Sequence, residues 1–292
     1  MRDSFVNQMT ETLGSIDHSV LLTGDLGFGI FNEISERFPE RFINVGVAEQ
    51  NMIGVASGMA KLGKAAFCYS IANFVFMRGL EQFRNGPVYH DFNVTLVCSG
   101  GGFTYGQLGF THFAIEDYGI ISALGGVEIL TPSTSAQVKR HVTECATMPG
   151  PKYLRLEKTE LDFPELEAFG ERLGLVCHRR GGRKAILAVG GLLSVAMEAA
   201  EQSDDDIAVY SLPRFRSLSE AAVREQLAKH ELIVSLEEHV LPNSAGLNMK
   251  AAGLNVIQLA ISDNGPSVVG DQNYLRQHYG LTVENVLAQL RP

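Results

Sequence analysis

Short apolar runs bounded by glycine, proline or polar clusters recur along this chain, with amphipathic stretches between them. Val20 to Thr23, Phe42 to Val45, Ala65 to Tyr69, Asn93 to Cys98, Val127 to Leu130 and Tyr153 to Leu156 read as buried strands. Helical spacing appears after Ser4 (Phe5, Met9, Leu13), from Ile30 to Phe38, where Pro39 stops it, and over Ala48 to Leu62. Further helices are predicted after Ser70, from Glu116 to Leu124, and from Pro132 to about Ala146. Strands without a polar face, alternating with helices, imply a parallel sheet covered on both sides. After Glu157 the pattern fades into acids, Pro164 and a basic Arg179–Lys184 stretch. It then resumes with strands at Ala185–Val189, Ile207–Leu212, Leu232–Leu236 and Val256–Ala260, and helices at Leu192–Glu201, Ser219–Lys229, Asp271–Tyr279 and Thr282–Leu290. The predicted fold is α/β, with two doubly wound domains of mainly parallel sheet. Residues 1–160 form the first domain, 161–184 a linker and 185–292 the second.

One position breaks this pattern. From Val45 to Gly58 the only ionisable side chain is Glu49, placed where a strand turns through Gly46 into a helix. An acid in a helix's first turn complements the dipole by roughly 0.3–1 kcal/mol. That account suits a surface helix, whereas this one is apolar or small around Glu49. A carboxyl in such a pocket has its pKa raised and can hold or share a proton near neutrality.

Composition narrows the class without naming the chemistry. With 292 residues, 45% of them hydrophobic and 20% charged, the chain has room for two globular cores. A net charge of −9 argues against nucleic acid or an anionic membrane as partner. The four cysteines, Cys68, Cys98, Cys145 and Cys177, form no Cys-x-x-Cys pair and read as reduced and buried. The first residues carry no apolar signal core, and Ala185 to Met197, with two glycines, is too short to span a bilayer. These features predict a cytoplasmic protein.

The string Gly46-Val-Ala-Glu-Gln50 resembles that of the transketolase-like enzymes that use thiamine diphosphate, including deoxyxylulose-phosphate synthase and the split, two-gene transketolases. In that family the glutamate hydrogen-bonds N1′ of the cofactor's aminopyrimidine, so the resemblance makes Glu49 the acid that drives proton exchange there. Phe74, in Ser70-Ile-Ala-Asn-Phe, takes the place of the ring that packs on the aminopyrimidine, and Ile71 stands where a second phenylalanine is usual. Asp25, in Gly24-Asp-Leu26, matches an Ala-Asp-Leu near cofactor and sugar. The glycines around it could cradle a phosphate but more often mark a plain turn, and the spacing of a dinucleotide site is absent.

Ser99 to His112 is a glycine-rich loop longer than a connection requires. Its Gly109, Thr111 and His112 match the family's Asp-Gly-x-Thr-His string, whose histidine bonds substrate oxygens. Leu108 stands in place of the family's aspartate, which contacts an acceptor hydroxyl. Arg155 matches a phosphate-binding arginine. Arg2 has the spacing of a second one or, equally, of a surface salt bridge. Glu116-Asp117 reads as helix-start acids, and Glu237-Glu238-His239 matches a C-terminal-domain string that does no chemistry on the cofactor.

The family's Gly-Asp-Gly…Asn motif, which holds the cofactor's diphosphate through Mg²⁺, is missing. The resemblance therefore implies the B half of a two-component transketolase, a pyrimidine-binding domain followed by a transketolase C-terminal domain. A separate partner subunit would hold the Mg²⁺ and the diphosphate in an α2β2 assembly. The implied reaction moves a two-carbon ketol unit from a ketose, in phosphorylated form, to an aldehyde. Leu108 and Ile71 keep open a deoxyxylulose-phosphate synthase-like or acyloin-forming subunit that decarboxylates a 2-oxo acid, and a non-catalytic regulatory subunit is the third reading.

Overall fold

A computed structural model describes residues 1–27, 29–262 and 266–291. Its first sheet has six strands, β1 (Ser19–Thr23), β2 (Phe42–Asn44), β3 (Ala65–Ile71), β4 (Val94–Ser99), β5 (Glu128–Leu130) and β6 (Lys152–Leu156), in the order β2-β1-β3-β4-β6-β5. Every pairing is parallel, with Leu22 beside both Ile43 and Cys68. The central strands are buried on both faces, which is why they read as unbroken apolar runs. By contrast β2 lies at the sheet's edge and is only half buried, a correction to the buried strand expected there.

The second sheet comprises β7 (Glu167–Phe169), β8 (Leu175–Arg179), β9 (Lys184–Ala188), β10 (Ile207–Ser211), β11 (Leu232–Val240) and β12 (Val256–Ile261), in the order β12-β11-β9-β10-β8-β7. Four of these strands run parallel, while β8 pairs antiparallel with β10 and β7 antiparallel with β8. Residues 161–184 are thus not a free linker, since they contribute an antiparallel edge to the second domain. Leu175, Val176 and Cys177 are buried there, and that burial orders a segment whose acids and proline suggested a loop. One hydrophobic cluster runs from Cys68, Phe76 and Tyr118 of the first domain to Leu187, Tyr210 and Phe215 of the second. All four cysteines are free and buried, and burial raises their pKa values, that of Cys145 to about 11, so they stay unreactive thiols. Among the described residues no helix is long and apolar enough to cross a membrane.

Candidate active site

In the first sheet the strand order reverses beside β1, and side chains that follow the strands' carboxyl ends gather there, the usual place for a ligand in an open parallel sheet. Past β2 the chain turns at Gly46, whose φ of +75° favours glycine, and enters the helix Glu49–Lys61. Glu49 is the first residue of that helix and only 4% exposed. Its two carboxylate oxygens accept from one nitrogen, Nη1 of Arg78, at 3.0 and 3.2 Å. The helix is less enclosed than its composition suggests. Met52, Ile53 and Ala56 are buried, but Gly54 and Gly58 are exposed with open space around them, and Val47 is 71% exposed.

Past β3 comes the helix Ala72–Arg78, with Ile71 in extended conformation as its N-cap. Phe74, on its first turn, meets the ring of His112 edge to face at 5.0 Å between centroids, and the Arg78 guanidinium lies 4.2 Å from the Phe74 centroid. Past β4 the chain makes the long loop, closed at its base by a Gly102–Ala114 bridge. Asn73 Nδ2 donates to the Thr111 carbonyl at 2.7 Å, tying the loop to the Phe74 helix. The Thr111 hydroxyl lies 3.0 Å from His112 Nδ1. With that hydroxyl as donor, the imidazole proton sits on Nε2, the tautomer that can donate to a substrate oxygen. Gly109 needs its missing side chain, with φ at +80°, and Leu108 beside it projects at 53% exposure.

Asp25 occupies the same rim, past β1. It takes a positive φ of 59°, a region Asp tolerates better than most residues, and is held by reciprocal 3.0 Å hydrogen bonds with Asn44 at the end of β2. The structure thus brings Glu49, Phe74 and His112 together and sets Asp25, Ile71 and Leu108 on the surrounding strand ends and loop.

The two arginines are not brought together. Arg2 is partly exposed and paired with its neighbour Asp3. Arg155 is fully buried, and its donors are taken by Asp117 at 2.9 Å, Glu157 at 3.3 Å and the carbonyls of Ala114 and Glu238. A phosphate would have to displace these partners inside the protein, so the expected phosphate role for Arg155 is replaced by a structural one. Burial works against its charge, but Asp117 and Glu157 hold its pKa above the usual arginine range. Asp117 is likewise more than a helix-start acid, since it also accepts from Tyr153 Oη at 2.7 Å.

This buried cluster joins the domains. Glu238 accepts from the Phe103 N–H at 2.7 Å and pairs with Arg276, while Glu237 accepts from Tyr118 Oη at 2.6 Å. Burial and Glu238 push Glu157 up to about 7 against the pull of Arg155 and Arg276. Burial lowers His239 to about 4, and the neutral ring donates from Nδ1 to its Val240 carbonyl and accepts the Gly119 N–H on Nε2. The Glu237-Glu238-His239 string therefore anchors both ends of the loop that bears His112. The roles of Arg78 and Asn73 escaped the sequence reading, as did the role of Asp117 beyond that of a helix-start acid. An ionisable residue shortly after Phe74 was the one available signal, and it was visible only for Arg78.

Residues 1–164 match the family described as transketolase, pyrimidine binding domain. The B subunit of the apulose-4-phosphate transketolase of Actinobacillus succinogenes is 28% identical, over 86% of this chain and 84% of that protein. The 6-deoxy-6-sulfo-D-fructose transketolase subunit SqwH of a Clostridium species is 29% identical, over 98% and 92%. A solved split-gene transketolase, described as an inactive beta4 tetramer, superposes with a TM-score of 0.83 at 28% identity, over 98% of this chain and 95% of the other. The chain belongs to the transketolase family, and its first domain is the pyrimidine-binding domain of that family.

Proposed function

We propose that this chain is the B subunit of a two-component, thiamine-diphosphate-dependent transketolase that passes a two-carbon ketol unit from a phosphorylated ketose to an aldehyde. The observation that carries the reading is the convergence of a buried carboxylate, Glu49, with the Phe74 ring and His112 on one strand-end rim. A fit to the cofactor's aminopyrimidine is supported from within the chain. The Arg78 guanidinium, a flat group with N–H donors, lies against Phe74 and donates to Glu49, as an aminopyrimidine protonated at N1′ would. Bound there, the cofactor would act as the electron sink for cleavage of the donor's C2–C3 bond. Glu49 would hold and exchange the proton at N1′, and Phe74 would supply the flat apolar wall. His112 Nε2 would donate to substrate oxygens beside the reacting carbon.

The two relatives named as subunits support a separate partner. So do Val47, Met77, Leu108 and Phe110, large apolar side chains left exposed around the site. We assign to that partner the Mg²⁺ and the diphosphate, in an α2β2 assembly in the cytoplasm. Mixing the chain with its partner, thiamine diphosphate and Mg²⁺ should give partner-dependent consumption of a ketose phosphate. Release of CO2 from pyruvate instead would favour the 2-oxo-acid reading suggested by Leu108 and Ile71. Tight, Mg²⁺-dependent cofactor binding by the chain alone would refute the two-component reading.

Leu108 sets an expectation for substrate choice. Against leucine an acceptor α-hydroxyl is left without a partner, a penalty of roughly 1–3 kcal/mol, on the order of ten- to a hundred-fold in rate. Leu108→Asp should therefore shift kcat/KM by about that factor towards α-hydroxy aldehydes over their deoxy analogues. If the wild-type enzyme already prefers the hydroxylated acceptor by about tenfold, a worth of some 1.4 kcal/mol, Leu108 does not have this role.

A further inference from the structure

Arg78 closes the helix Ala72–Arg78, and its side chain turns onto the two surfaces assigned to the cofactor's pyrimidine. A single nitrogen, Nη1, lies within hydrogen-bond distance of both Glu49 oxygens, so it sits between them, where the N1′ proton would have to go. At 4.2 Å from the Phe74 centroid the guanidinium also covers a face of that ring, so a flat group that is to stack there and reach Glu49 must displace it. The contact is built to release. It uses one nitrogen and not the two-pronged fork that makes arginine–carboxylate pairs strong, and the Arg78 side chain is 50% exposed. Among the described residues Glu49 is the one carboxylate with which Arg78 forms an ion pair.

Building on the transketolase reading of this site, we propose that Arg78 is a displaceable plug. Without cofactor it neutralises Glu49 and covers Phe74, and the aminopyrimidine must push it out into solvent or onto the partner subunit in order to bind. The plug keeps a buried carboxylate paired before the cofactor arrives, and it lowers apparent cofactor affinity by the fraction of subunits in which the slot is open. No covalent bond is made or broken, but one proton is taken up from solvent: N1′ of a neutral aminopyrimidine can only accept, so it meets Glu49 through a proton that takes over from the Arg78 cation.

The test uses the assembled two-subunit complex and the neutral probe 4-amino-5-hydroxymethyl-2-methylpyrimidine, followed by calorimetry. Arg78→Gln and Arg78→Met should each bind the probe roughly two- to fivefold more tightly than wild type, the range set by losing a half-exposed ion pair. Wild type should bind the probe more tightly as salt weakens the pair, while both variants stay insensitive to salt. Weaker binding in the variants would overturn the proposal, because it would make Arg78 a support for the bound pyrimidine. Unchanged affinity, with Glu49→Gln still abolishing turnover, would also overturn the plug but leave the transketolase reading in place. Failure of all three proteins to bind the probe would overturn both.

Discussion

Glu49→Gln in the assembled enzyme is expected to lower kcat by about 10²–10⁴-fold, the range associated with loss of a positioned acid–base group. The amide has nearly the shape of the carboxyl, so Phe74 and His112 should keep their places. Its oxygen can still accept from Arg78 Nη1, which now donates at 3.0 and 3.2 Å. What it cannot do is take and return a proton at N1′. Because the Arg78 side chain is half exposed, weakening this pair should cost little stability, and thermal unfolding of the variant should track wild type. Turnover near the wild-type rate, measured with saturating cofactor, would show that another group handles the proton.

Asp117→Ala should have the largest effect on stability. Asp117 is fully buried and accepts from both Arg155 Nε and Tyr153 Oη. Removing it leaves Arg155, itself buried, with the more distant Glu157 as its remaining carboxylate partner. Breaking such a pair from one side typically costs about 3–5 kcal/mol, much more than the pair itself contributes, because an uncompensated charge stays inside. Urea unfolding would measure the loss. The double variant Asp117→Ala with Arg155→Met should recover a substantial part of it, since the buried arginine charge is then gone and Glu157 keeps Arg276 as its partner. A single-variant loss under about 1 kcal/mol would mean that Glu157 and the Ala114 and Glu238 carbonyls suffice for Arg155.

The parallel sheets were legible because strands covered on both faces leave runs such as Ala65 to Tyr69 with no polar position. β7 and β8 were not, because an antiparallel edge tolerates Glu167 and Arg179, and their neighbourhood reads as a charged loop. The helix Ala245–Ala251 was also missed, although Ser244 caps it by accepting the Leu247 N–H. At the site, Glu49, Phe74 and His112 could be singled out because each stands in a distinctive local string. The pairing of Glu49 with Arg78 could not, since nothing local links residues separated by a whole strand and helix. Arg155 shows the opposite limit. Its string suggested a ligand, and only the buried placement of Asp117, Glu157 and Glu238 around it reveals that its donors are already committed.

The loop bearing His112 is fastened at its roots and exposed at its tip. Gly102 and Ala114 bridge its base, Glu238 takes the Phe103 N–H, and His239 takes the Gly119 N–H, while Gln107, Leu108 and Phe110 stand exposed. Tolerance to substitution is therefore divided along a few residues of chain. Changes at the roots act on folding, whereas changes at Gln107 or Leu108 fall on exposed side chains that, on the proposed function, face the substrate, and leave the packed interior untouched. Lineages descended from a common ancestor can diverge in substrate range at the tip while inheriting the same scaffold, and directed evolution of new acceptors would do best to randomise those two positions first.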